Sequence, residues 1–298
     1  HVVNDSGGSA DASDFTLDAG GTNDTPDDFT GEEAPGTSVT LDAGSYNVTE
    51  SGPLGYTASF SADCSGSIAA GETKTCTVTN DDEQAYITVV KEVTKDNGGD
   101  ADPDDFNLTL EGNAVDSGVA VPVNPGTYTA GETLLEGYTF EGFSGGCDGS
   151  GDVTVALGES KTCTLTNDDI PGEIHGMKFE DLDGDGVKDL GEPGLPDWEI
   201  NLFNGVATTT TTTGGDGSYA FTDLDVGTYT VTEKQQAGWA QTTADPAPID
   251  ISLAEVVEDV DFGNFELLTV TGHKYYSDTT IGLSGWTILI DGSDIGVT

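Results

Sequence analysis

Apolar residues in this chain recur at every second position, not at every third or fourth. Ile87, Val89, Lys91 and Val93 share one phase of an alternating run, and Cys163, Leu165 and Asn167 share another. Tyr46, Val48 and Glu50 form a third, which returns as Tyr128, Ala130 and Glu132 and as Tyr229, Val231 and Glu233. Side chains spaced this way line one face of a β-strand. No segment sustains the spacing of an amphipathic helix, so the pattern predicts an all-β fold almost without helix. Nor does any stretch approach the roughly 20 apolar residues of a membrane span.

The same phrases come back at intervals. His1–Leu17 aligns without gaps on Glu92–Leu108, matching at Val2, Asp5, Gly7, Gly8, Ala10, Asp11, Asp14, Phe15 and Leu17. Both units close alike, with Cys76–Asp82 and Cys163–Asp169. A Gly-x-Tyr phrase ending in glutamate occurs at Gly44–Glu50, Gly126–Glu132 and Gly227–Glu233, each followed by Gly-Tyr or Gly-Trp. This repetition predicts tandem sandwich domains. We place them at residues 1–83, lacking a first strand, 84–170 and 171–266, with an incomplete fourth at 267–298. The joining segments are short, which favours a rod over a flexible string. Thr208–Thr213 reads as an exposed hairpin or loop open to O-glycosylation. Asn23, Asn47 and Asn107 stand in weak glycosylation sequons. The chain opens on His1 without a leader pattern, as expected of a mature or excised piece of a longer protein.

Charge narrows the partners. Fifty-five acidic residues face eight lysines and no arginine, a net charge of −47. Nucleic acid demands a basic footprint, so it is excluded, and anionic membrane surfaces are disfavoured. Two readings of the acidity stand together: solubility in salt or on a crowded surface, and binding of hard divalent cations. The four cysteines fall as two local pairs, Cys64 with Cys76 and Cys147 with Cys163. They are expected as disulfides in an oxidising, extracellular compartment, the alternative being free structural thiols. His1, His175 and His273 lie in early strands without partners, and no nucleophile–base set supports an enzyme.

The strand phases direct polar groups inward. If Tyr46 and Val48 face a core, so does Glu50; the same holds for Glu132 and Glu233. Each unit also closes on an inward asparagine: Asn80, Asn167 and Asn264. Three of the eight lysines, Lys91, Lys178 and Lys274, stand at one corresponding position of the opening strand. A lysine, a carboxyl and an asparagine converging in an apolar interior can form an amide. Burial favours the neutral amine as nucleophile, and a neutral carboxyl can shuttle the proton. The triads are Lys91, Glu132 and Asn167, then Lys178, Glu233 and Asn264. Glu50 with Asn80, and Lys274, belong to incomplete ones. A buried Lys–Glu ion pair beside a hydrogen-bonded asparagine uses the same residues and stays open as the alternative; an exposed lysine is a third. By the repeat, the first unit's lysine belongs one position before His1.

Asp181, Asp183, Asp185, Val187, Asp189 and Glu192 occupy the ligand positions of a twelve-residue Ca2+ loop, with Gly186 at its sharp turn. The alternative is an acidic turn. Strand-like flanks, with Ile174–Phe179 before and Pro193 and Pro196 after, make it a structural site and not a helix-flanked sensor.

These phrases resemble the prealbumin-like B-type domains of bacterial collagen adhesins and pilins. Gly176–Trp198 and Gly227–Glu233 resemble the calcium-binding B-type domains of serine–aspartate-repeat surface proteins. The resemblance implies a seven-stranded sandwich per domain, a stalk or fibre role at the cell surface, and isopeptides at the triads above. Disulfides are not general in that family, and no sortase-type anchoring signal is visible. Other copies of the chain or neighbouring repeats are the expected partners, with Leu267–Thr298 a candidate for strand donation. The rival reading is an adhesin region binding a host or matrix ligand, for which Trp198, Trp239 and Trp286 are the aromatic candidates. A non-catalytic stalk of a large secreted enzyme is the third.

Overall fold

The computed structural model describes residues 1–268 and the backbone of Thr287–Ile290 and Ser293–Val297. Lys274, His273 and Trp286 lie outside the described residues. Among the described residues, helix is confined to three short 3-10 turns, Ala12–Asp14, Ala62–Cys64 and Pro103–Asp105, and the rest of the regular structure is strand. The chain divides into two compact units, His1–Pro171 with Ser252–Ala254, and Gly172–Ile251 with Glu255–Thr298.

In the first unit, residues 85–169 make two four-stranded sheets. One runs Ala120–Val123, Ala85–Thr94, Ser160–Asp169, Tyr138–Gly145; the other runs Asn113–Ala114, Asn107–Leu110, Gly126–Thr133, Asp152–Val155. Ile87, Val89 and Leu165 from one sheet and Leu108, Leu110 and Val153 from the other fill a shared core. Each such buried aliphatic side chain contributes roughly 1.5–3 kcal/mol. The opening strand Ala85–Thr94 and the closing strand Ser160–Asp169 are parallel neighbours, with Lys91 opposite Leu165 and Val93 opposite Asn167. Parallel neighbours cannot be joined by a hairpin, so the rest of the module is the crossover between them.

Residues 1–82 repeat this plan with less burial. Val2–Val3 runs parallel to Val78–Asp82, with Val2 opposite Asn80, the register of Val93 and Asn167. Phe15, Ala19, Cys64 and Val78 are its buried apolar residues. The Cys64–Cys76 disulfide ties this sparse core.

In the second unit, Ser218–Leu224, Gly172–Glu180, Phe262–Glu266 and Trp239–Gln241 form one sheet, with Val256–Val257 also on the opening strand. Thr208–Thr212, Glu199–Phe203, Gly227–Glu233 and Ile249–Ile251 form the other. Opening and closing strands again lie parallel, with Lys178 opposite Phe262 and Glu180 opposite Asn264.

One expectation changes. The seven strands implied by resemblance become eight in residues 85–169 and nine in residues 172–266, because two-residue pairings such as Asn113–Ala114 and Val256–Val257 add to the sheets. The threonine run is the exposed arm of a hairpin, one of the two readings its sequence allowed: Thr208–Thr212 pairs antiparallel with Glu199–Phe203 at the sheet edge, as suits β-branched side chains. Its last member, Thr213, is buried, donating its hydroxyl to Leu195 O at 2.7 Å and accepting from Trp198 N–H at 2.9 Å.

Candidate functional site

The parallel register decides what meets in the core. Lys91 faces inward across from Leu165, two residues before Asn167, so its chain reaches along the strand to the asparagine. Its Nζ lies 2.5 Å from Asn167 Oδ1, 3.0 Å from Glu132 Oε2 and 3.4 Å from Leu165 O. The second unit repeats the arrangement. Lys178 Nζ lies 2.5 Å from Asn264 Oδ1, 2.9 Å from Glu233 Oε2 and 3.0 Å from Phe262 O. Both lysine side chains are fully buried. The structure thus brings both complete triads together.

The two sites differ in their amide. Asn264 Nδ2 donates to Glu233 Oε1 at 2.8 Å. Asn167 Nδ2 and Glu132 Oε1 are buried without a hydrogen-bond partner. An aromatic ring covers each amine: Phe106 at 4.4 Å from Lys91 Nζ and Trp198 at 4.5 Å from Lys178 Nζ. The sequence offers Trp198 as an aromatic candidate for a ligand, not as a cap on an amine, and gives Phe106 no role beyond its place in the repeat. Fifteen to twenty residues separate each ring from its lysine, and strand periodicity carries no signal across that distance.

Desolvation pushes both amines toward the neutral form, because an ammonium loses its water on burial. It outweighs the attraction of Glu132 at Lys91, and it lowers Lys178 to about 8 against Glu233. A neutral lysine nitrogen is a nucleophile, and the nearest electrophilic group is the asparagine carboxamide.

In the first module Asn80 Nδ2 donates to Glu50 Oε1 at 2.8 Å, so the carboxyl–amide pair is assembled there too. The His1 amino group donates to Val78 O at 3.0 Å, and Val78 corresponds to Leu165.

Two buried aspartates, one closing each of the first two modules, also carry structure. Asp82 accepts from the backbone N–H of Asp5, Ser6 and Gly8, and Asp169 accepts from those of Asn97 and Gly99. Burial opposes charge on Asp82, but those N–H donors outweigh it and hold its carboxyl below the ordinary value. The matched Asp-x-Gly-Gly and Asn-Asp-Asp phrases were the available signal; they read as repetition without a partner assignment.

The acidic loop of the second unit leaves the opening strand at Glu180. Asp181 is fully buried and takes N–H bonds from Gly184 and Gly186 at 2.6 and 2.7 Å. Glu192 closes the loop by accepting from Leu182 and Asp189 N–H at 2.8 and 2.9 Å. Oxygens of Asp181, Asp183 and Glu192 lie within 4.8 Å of one another, as do those of Asp183, Asp185 and Asp189. The Asp185 N–H favours a charged Asp183, yet desolvation and the charges of Asp185, Asp181 and Asp189 together push it above its ordinary value. These are oxygen donors suited to a hard cation.

Cys64 pairs with Cys76 and Cys147 with Cys163. His1 and His175, expected without partners, lie 3.5 and 2.6 Å from Glu33 and Glu173 carboxylates, because the acidic surface supplies one nearby.

Comparison with known proteins matches the prealbumin-like fold domain to residues 1–81 and 82–165, and the SdrD B-like domain to residues 172–262. Bone sialoprotein-binding protein of Staphylococcus aureus MRSA252 is 37% identical over 90 residues, covering 28% of this chain and 8% of that protein. Serine-aspartate repeat-containing protein E of strain USA300 is 39% identical over 90 residues with the same coverage. The chain therefore spans under a tenth of these relatives' length. The Bacillus anthracis TIE protein superposes with a TM-score of 0.43 at 15% identity, covering 85% of this chain and 51% of that one.

In Asn264→Ala the Lys178 amine has no amide to join. Between about pH 8 and the ordinary lysine range, the unfolded chain binds more protons than the folded one. Urea unfolding of this variant, followed through the buried Trp198, should show stability rising with pH across that window. A flat or falling profile would mean that the amine is not desolvated.

Proposed function

The chain belongs to the prealbumin-like fold domain family, and we propose that it is a structural segment of an extracellular cell-surface stalk or fibre, each complete module closed by a Lys–Asn isopeptide bond. The carrying observation is the pair of buried triads at matching register, Lys91–Glu132–Asn167 and Lys178–Glu233–Asn264. The neutral amine attacks the asparagine Cγ. A nitrogen–carbon bond forms, the carboxamide carbon–nitrogen bond breaks, and the glutamate carries the amine proton to the leaving nitrogen, which departs as ammonia. No oxidant or cofactor enters.

The topology gives this bond its mechanical meaning. Opening and closing strands are parallel neighbours, so a pull on the two ends of a module shears them along their length. A bond between them carries that load directly, and the residues enclosed are not extended. Disulfides in the first two modules add local closure. One relative's name carries a ligand, bone sialoprotein. A stalk is the better reading here, since Trp198 is buried and Trp239 stacks edge-on against it instead of forming an open platform.

Calcium belongs to the same proposal. Asp181, Asp183, Asp185, Asp189 and Glu192 would hold one Ca2+ with the Val187 carbonyl, relieving the mutual repulsion at Asp183 and fixing the loop beside the Lys178 strand.

Single-molecule extension of the full chain, with disulfides reduced, tests the lock. Lys91 and Asn167 enclose 76 residues. Asn167→Ala should lengthen the unfolded contour by roughly 260 Å, at about 3.4 Å per residue. Equal contours for variant and parent would refute the bond. Calcium is tested by melting the chain with and without chelator. Ca2+ at a hundred times its dissociation constant should add about 2.7 kcal/mol, and Glu192→Gln should remove most of that gain. A midpoint indifferent to calcium would refute the site.

A further inference from the structure

Inside the first unit, the turn that follows the Gly-x-Tyr strand meets the next module. Glu83, in the linker, donates its N–H to Gly55 O at 2.8 Å, and its own carbonyl accepts from Gly158 N–H at 2.9 Å. Leu157 lies flat on the Gly55 backbone: Gly55 has φ +83°, and a Cβ there would collide with Leu157 Cβ. On the other side of the linker, a Cβ on Gly7 would come within 2.7 Å of Asn124 and 2.9 Å of Pro125. Glycine is required where backbone meets side chain this closely.

The corner recurs. Ile170 N–H donates to Gly137 O at 2.9 Å, and Leu267 N–H donates to Gly238 O at 2.7 Å. At Gly137 the first unit supplies the same filling. Leu253 lies against it, and Ala254 N–H donates to Ile170 O at 2.9 Å, as Gly158 does to Glu83. Ala156-Leu157-Gly158-Glu159 and Ser252-Leu253-Ala254-Glu255 are the two matching turns. At Gly238, among the described residues, nothing lies within 4 Å of where a Cβ would stand. Beside it Leu267 and Leu268 are 54% and 80% exposed.

We propose that the Gly-aromatic corner is a socket for the leucine turn of a following module, and that the corner at Gly238 and Leu267 takes such a turn. The occupant is a module of this same kind, because the socket at Gly55 already holds one, the socket at Gly137 holds a matching turn, and the third has the same glycine, the same corner hydrogen bond and exposed apolar neighbours. This deepens the stalk reading but does not depend on isopeptides or calcium. The contacts are van der Waals and backbone, so either chemistry can fail while the joint stands.

Two hydrogen-exchange measurements by NMR test it. In the full chain, Leu157→Asp should speed exchange of the Gly158 amide at least tenfold, while Cys163 and Leu165 amides keep their protection as the folding control. Next, residues after Leu267 are replaced by a copy of Gln84–Pro171, with only that copy 15N-labelled. The amide of the copied Gly158 should be protected at all protein concentrations and lose that protection when the copied leucine becomes aspartate. An unchanged Gly158 amide in the first experiment overturns the joint. A freely exchanging copied amide, or one protected only at high concentration, overturns the socket for a following module.

Discussion

Everything in this architecture depends on an amine held out of water. Burying an ammonium costs several kcal/mol unless it is paired or neutralised. The chain accepts that cost at Lys91 and at Lys178, in both cases between the first and last strands of a module. Glutamate and asparagine oxygens offset it, a ring caps it, and desolvation shifts the amine toward its neutral form. A static ion pair would bring a modest net gain, since well-packed apolar residues often do as well. The same geometry as a set of reactants has a reason to exist, because the bond it can make joins the two strands that carry tension.

Much of this was legible from alternation alone. Strand phase is a strong signal where Ile87, Val89 and Lys91 share a face, and it turned Glu132 and Asn167 inward without any coordinates. It could not say that the strands run parallel, nor that Lys91 stands opposite Leu165; register is a tertiary property. Phe106 and Trp198 over the amines escaped for the same reason. Asp82 and Asp169 escaped differently: their partners are backbone N–H groups, which have no letter in the sequence. The threonine run reads as hairpin or loop from its letters alone; β-branching and the neighbouring strand Glu199–Phe203 settle it as the edge arm of a hairpin.

The remaining charge has a coherent role. A surface carrying −47 repels its own copies and attracts cations. The acidic loop next to Lys178 concentrates that field where the opening strand begins its crossover. Small modules with sparse cores, the first above all, gain from any closure of this kind, whether disulfide, cation or amide.

The intact mass of the purified full chain, measured with disulfides reduced, addresses the central claim most directly. The account predicts a deficit of two ammonia molecules against the sequence, one each for Lys91–Asn167 and Lys178–Asn264. A mass equal to that of the sequence would contradict it, leaving two buried ion pairs where bonds were expected.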